Sequence, residues 1–261
     1  MKNSLVTASP TGRWGGPAGP PYPWLVEKRR IPHYCPPMLS ERSYSQPPRP
    51  QWWQSVTILL IVLNVIAFLL QTKILPIELN ENYLELSPEG LLHGYVWQLL
   101  SYQFMHGGWM HLLLNCWGLF VFGRGVEWTV GKPRFLLLYF TSGIIGGLFQ
   151  VLAGVLWPQY YSGSTVGASA GVMGVIATFA MLFPNQRLVL LLFYVIPINI
   201  RAKTLIWLLL LLTAVGIAFP LASWRFLLGG NVAHFGHLGG ILTGLAFARF
   251  YFLTPPPIPK E

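Results

Sequence analysis

The chain contains no aspartate. Its eight acidic residues are all glutamate, set against 17 lysines and arginines, and charged side chains make up only 10% of the whole. A soluble domain of ordinary composition carries about 25% charged residues, so a solvated globule of this size is excluded. The missing aspartate excludes a serine triad completed by Asp. Cysteine is almost absent: Cys35 and Cys116 lie far apart, which excludes a disulfide framework and a CxxC metal pair. There is no HExxH zinc motif. The first fifty residues lack the apolar core of a secretory signal. What abounds is hydrophobic surface, at 53% of residues, with a mean hydropathy of +0.51. The chain reads as a polytopic membrane protein.

A helix needs about 20 mostly apolar residues to cross a bilayer. Six segments are expected to do so: Trp52–Leu70, His111–Phe122 extended backwards to Trp97, Phe135–Trp157, Ser169–Phe183, Thr204–Phe219 and His237–Leu253. Leu188–Ile200 is apolar but short and carries Pro197, so it is expected at the membrane surface. With the N-terminus inside, every Lys and Arg except Lys73 and Arg225 falls on the inner side, 15 of 17. That distribution follows the positive-inside rule and assigns the net charge of +9 to topology and anionic lipid, not to nucleic acid. Trp52, Trp53, Trp97, Trp109, Trp157 and Trp224 fall near span ends, as an interfacial belt does. The outer loop from Lys73 to Trp97 holds Glu78, Glu81, Glu85 and Glu89 among apolar residues and is expected to be partly helical and to lie on the bilayer. The expected organisation is a disordered Pro/Arg-rich cytoplasmic tail (1–50), a six-span membrane domain (51–254) and a short C-terminal tail (255–261). The fold class is all-α, a six-helix membrane bundle with a cytoplasmic N-terminus.

Polar groups inside a bilayer are costly and mark functional sites. His111 and Asn115 are four residues apart and share one face of the second span, with His106 a turn and a half earlier. Ser169 opens the fourth span inside Gly167-Ala168-Ser169-Ala170-Gly171. His237 lies one turn before Gly240, and Gly240 and Gly244 form a GxxxG that brings helices close. His234 competes with His237. Each set alone is also accounted for by helix packing or interhelical hydrogen bonding. Glu127, beyond the second span, is expected to be structural, binding Arg124, Arg134 or nearby backbone. Taken together, a serine needs a base to become a nucleophile. With no Asp, four of the eight Glu in the first outer loop, the others inside and Glu127 on the wrong side to orient His237, a Ser–His dyad is the expected form, with His and Asn side chains able to stabilise an oxyanion.

The ordered motifs resemble the rhomboid family of intramembrane serine proteases. HGGWMHLLLN (His106 to Asn115) is similar to its H-x4-H-x3-N, GASAG to its G-x-S-G, and GHLGGILTG to its A-H-x-x-G-x-x-x-G; GRGVEWTVGKPRFLLLYFTSG resembles its stretch between spans two and three. The matching region runs from about Trp97 to Phe250. The resemblance implies Ser169 as nucleophile and His237, not His234, as general base. It implies His111 and Asn115 as oxyanion-site donors beside the Ser169 N–H, and Gly167, Gly171, Gly240 and Gly244 as packing residues around the site. It implies hydrolysis of peptide bonds in or near the spans of membrane-protein substrates through an acyl-enzyme, with no cofactor and no metal. The membrane would be a bacterial plasma membrane, or an organelle membrane in a eukaryote. Three departures stand out: Ala170 where the motif has its second Gly, Gln98 where many members have Arg after the Trp, and Gly236 for Ala. The rivals are a non-proteolytic rhomboid-like scaffold or chaperone that binds transmembrane helices, a transporter, which would carry an intramembrane carboxylate or Arg, and a zinc site using His106, His111 and His234 or His237.

Overall fold

A computed structural model describes residues 54–192, 196–219 and 232–253. The two expected tails lie outside these residues, as do Trp52, Trp53, Trp224, Arg225 and Asn231. The main helices are α1 (Val56–Lys73), α2 (Trp109–Gly118), α3 (Arg124–Val130), α4 (Lys132–Leu156), α5 (Ser169–Leu182), α6 (Ala202–Ala218) and α7 (His234–Leu253). A wide π turn over Leu119–Gly123 joins α2 to α3. Between α5 and α6 stand two strands, β1 (Arg187–Leu192) and β2 (Ile196–Arg201).

The helices are apolar on the outside. In α1 the buried positions are Thr57, Leu60, Asn64 and Phe68, spaced three and four apart, while Leu59, Val62, Leu63, Ile66, Leu69 and Leu70 face outward. A helix in water does the reverse, burying its leucines and exposing its asparagines. The same inversion recurs in α4, where Leu137, Leu148, Leu152 and Val155 are exposed and Ser142 and Gln150 are buried. α1 and α4 have the length and hydropathy to cross a membrane unaided; α5 and α6 are apolar but shorter.

The centre of the bundle is α5. Ala170, Gly171, Val172 and Gly174 through Ala180 are all buried, so lipid or solvent reaches almost none of this helix. α4 and α7 flank it, and these three helices pack most extensively on one another. The packing rests on backbone approach. A Cβ at Gly244 would meet the Gly174 carbonyl carbon at 2.8 Å, and one at Gly171 would meet the Tyr139 ring at 2.9 Å. The core closes with Leu119, Val126, Phe135, Leu138, Tyr139, Val175, Ala177 and Ile241.

Two expectations need correction. Leu188–Ile200, expected as a short apolar surface segment with no assigned secondary structure, is part of an antiparallel hairpin, registered from Arg187↔Arg201 to Leu192↔Ile196, so the fold is mostly helical with one small β element and not purely all-α. The alternation Ile196-Pro-Ile198-Asn-Ile200 is the period-two signal of a strand, and Leu188 and Ile200 pack against the helical core. Glu127 is structural, as expected, but neither arginine is its hydrogen-bond partner. It caps α1 from 71 residues away: Ser55 Oγ (2.6 Å), Val56 N–H (2.8 Å), Thr57 N–H (3.0 Å) and Thr57 Oγ1 (2.7 Å) all donate to its carboxylate. These include N–H groups that a helix leaves unsatisfied at its start, and a negative charge there also suits the helix dipole. The Lys73–Trp97 loop contains the expected short helices, among them Pro88–Leu92 with Ser87 accepting the Gly90 N–H.

Candidate active site

Ser169 is the first residue of α5. The chain reaches it through Gly167, whose φ of +123° lies where L side chains are strained. The Gly167 N–H donates to the Tyr102 carbonyl (2.9 Å), and the Tyr102 hydroxyl donates to the Gly143 carbonyl on α4 (2.5 Å). Thr165 is bridged in both directions to Leu86, and the Ser164 hydroxyl donates to Glu85. The approach to Ser169 is therefore pinned to the first loop and to α4. The first intrahelical bond of α5 runs from Val172 N–H to the Ala168 carbonyl (3.0 Å). The N–H groups of Ser169, Ala170 and Gly171 have no acceptor within the helix, as at any helix start.

His237 lies in the first turn of α7. Its Nε2 stands 2.9 Å from Ser169 Oγ, 68 residues apart in sequence. Close packing of α7 on α5 makes this possible: a Cβ at Gly240, one turn along, would lie 2.9 Å from the Ala170 carbonyl carbon. His234 points elsewhere, its ring filling the space beside Gly216 of α6. Only His237 of the two reaches the serine. Among the described residues, Glu127 serves α1 and Glu85 serves Ser164, and no carboxylate joins the Ser169–His237 pair.

His111 and Asn115 come to the same place. A Cβ on Gly167 would meet His111 Cε1 and Nε2 at 2.6 Å and Asn115 Nδ2 at 3.8 Å. Both side chains thus border the backbone two residues before Ser169. Asn115 Nδ2 also donates to the His111 carbonyl (2.9 Å). His106 stays behind them as a structural neighbour: Gln71 clamps its backbone with bonds of 2.9 and 3.1 Å, and its ring meets His111 edge-on at 5.3 Å.

The departure at Ala170 has a local solution. Its side chain is 3% exposed, and a Cβ on Gly146 of α4 would lie 2.6 Å from its methyl. The methyl points at α4, where Gly146 leaves room for it.

Sequence reasoning missed Gln150, Tyr102 and Gln71. Gln150, buried on α4, accepts the Gly236 N–H (3.3 Å) one residue before His237. Its signal was present: a Gln in the middle of an apolar span is as costly as a His or Asn there.

A serine hydroxyl at a helix start, an imidazole within hydrogen-bond reach and amide and imidazole groups bordering the same backbone can together perform nucleophilic acyl transfer. The family model described as the rhomboid domain matches residues 93–254, and the chain belongs to the rhomboid family. It is 27% identical over 222 residues to the rhomboid protease AarA of Providencia stuartii, covering 77% of this chain and 74% of that one. It is 29% identical over 152 residues to rhomboid protein 1 of Saccharomyces cerevisiae mitochondria, covering 58% and 41%. To YdcA of Bacillus subtilis it is 37% identical over 97 residues, covering 37% and 47%. The chain thus spans under half the length of the latter two relatives.

Proposed function

We propose that this chain is an intramembrane serine protease that hydrolyses peptide bonds in or near transmembrane segments of membrane-protein substrates. The observation that carries the reading is the 2.9 Å approach of His237 Nε2 to Ser169 Oγ. His237 takes the Ser169 proton, Ser169 attacks the scissile carbonyl, and an acyl-enzyme forms while His237 returns the proton to the leaving amine. Water, deprotonated by the same imidazole, then releases the acyl group. The Ser169 N–H, His111 and Asn115 hold the oxyanion of both tetrahedral intermediates. No carboxylate takes part.

In this reading residues 51–254 form a six-span domain with α1, α2, α4, α5, α6 and α7 as the spans, the N-terminus cytoplasmic and the tails of 1–50 and 255–261 on that side. α5 has 14 residues, about 21 Å of helix, against a hydrocarbon core of about 30 Å. A span this short recesses Ser169 below the outer surface. That supports a water-filled hollow above it, since the bilayer core supplies no hydrolytic water.

The test is cleavage by the full chain in liposomes of a single-span substrate with small residues near its outer end. Parent activity that disappears in both Ser169→Ala and His237→Ala supports the reading. Undiminished cleavage by Ser169→Ala overturns it. Folded parent protein that neither cleaves nor reacts at Ser169 with a fluorophosphonate probe would be a scaffold that binds transmembrane helices.

A further inference from the structure

The β1–β2 hairpin carries an arrangement that proteolysis does not use. Its register sets Arg187 directly opposite Arg201, and both side chains are exposed. Like charges directly opposite each other weaken a strand pair. Lys203, also exposed, follows two residues later. The corner that presents all three is fixed by backbone bonds, from Ala202 N–H to the Gln186 carbonyl (2.9 Å) and from Lys203 N–H to the Pro184 carbonyl (3.2 Å). Among the described residues no acid follows Glu127 in sequence, and Glu127 is committed to α1.

Beside the pair lies an open cavity of about 520 Å³, lined by Phe183, Pro184, Asn185, Gln186 and Arg187. Its polar wall offers amide donors next to the Arg187 guanidinium. Two residues along the same strand face, Val189 is 62% exposed, across from Asn199. Over one strand length the surface therefore changes from paired guanidinium groups and a polar hollow to bare aliphatic side chain. A ligand that fits has a phosphate for the arginines, a polar head for the cavity and an acyl chain for Val189.

We infer that the base of this hairpin is a binding site for one anionic phospholipid, its phosphate bridging Arg187 and Arg201. Guanidinium forks bind phosphate bidentately, and a shared anion turns the cross-strand repulsion into two attractions. The site rests on the chain's place in a membrane and is independent of its catalysis.

The test uses the full chain in nanodiscs of phosphatidylcholine with up to about 30% phosphatidylglycerol, and native mass spectrometry counts lipid retained after transfer to neutral detergent. The parent is expected to retain one phosphatidylglycerol per chain. Removal of a charged hydrogen-bonding partner weakens binding by about tenfold for each arginine, so R187Q/R201Q loses the retained lipid. R187K/R201K, which keeps the charge and loses the fork, is expected to fall between. R249Q, a neutralisation at another exposed arginine, retains the lipid as the parent does. Retention by R187Q/R201Q equal to the parent's overturns the proposal, and so does equal loss in R249Q, which would mean unspecific charge. Displacement of the lipid by millimolar inorganic phosphate would assign the site to a free anion and overturn the lipid. A cleavage assay on the same samples separates this outcome from the fate of the protease reading.

Discussion

Gly240→Ala tests whether helix approach sets the catalytic geometry. The added Cβ would lie 2.9 Å from the Ala170 carbonyl carbon and 3.1 Å from its Cα, and nearer still to its carbonyl oxygen, where 3.4–4 Å is ordinary contact. The obstacle is backbone, so no rotamer relieves it. To restore ordinary contact with that oxygen, α7 must retreat from α5 by about 1 Å or more. His237 lies one turn away on the same face and moves with it, stretching the 2.9 Å separation from Ser169 beyond the usual hydrogen-bond range. A misplacement of about 1 Å costs roughly 100-fold in rate, while overpacking costs about 1–3 kcal/mol of stability. The expected result is a folded protein whose cleavage and fluorophosphonate labelling both slow by about two orders of magnitude. Circular dichroism and thermal melting in detergent confirm that it is folded. A folded Gly240→Ala that cleaves within about twofold of the parent would refute the argument that this approach positions His237.

Burial pushes the Glu127 carboxyl up, but the hydrogen bonds from Ser55, Thr57 and Val56 outweigh it and hold the group below its ordinary 4.5. Its contribution to stability is therefore complete above 4.5 and lost as pH falls through the folded value. Glu127→Gln should cost about 2 kcal/mol at pH 7 and should remove this group's acid-dependent loss when melting is followed from pH 6 to 3. Gln150→Ala unties the Gly236 N–H beside His237 and should lower kcat about tenfold with KM unchanged, measured on a single-span substrate. Gly167→Ala places a methyl into the His111 ring at a φ of +123°. Backbone strain of about 1–3 kcal/mol should come with near-complete loss of fluorophosphonate labelling at Ser169.

The membrane class was legible in the sequence, because a bilayer constrains composition directly: 10% charge and long apolar runs have no other stable use. Most helices began and ended close to the apolar runs, since the punctuation is local, as at Gly131 before α4 and Pro133 in its first turn; the second span, expected back to Trp97, is instead broken at 105–108, and α2 starts at Trp109. The candidate residues were legible because His, Asn and Ser are expensive inside an apolar span and therefore conspicuous. The hairpin was not, because a short apolar run reads alike as strand, buried helix or surface segment until a partner strand is known. The partner of Glu127 was hidden for a similar reason: the α1 N-terminus that it caps lies 71 residues away.

The sequence by itself marked out the candidate residues, since that depends on side-chain type and solvent cost. Only the tertiary structure decided which of them meet. The choice of His237 over His234 depends on which face of α7 lies against α5, and that is set by Gly240 and Gly244 against the Ala170 and Gly174 backbone. The fit of Ala170 depends on a glycine on another helix, Gly146. Such distances between helices arise from packing along the whole of their length, and no local run of residues encodes them.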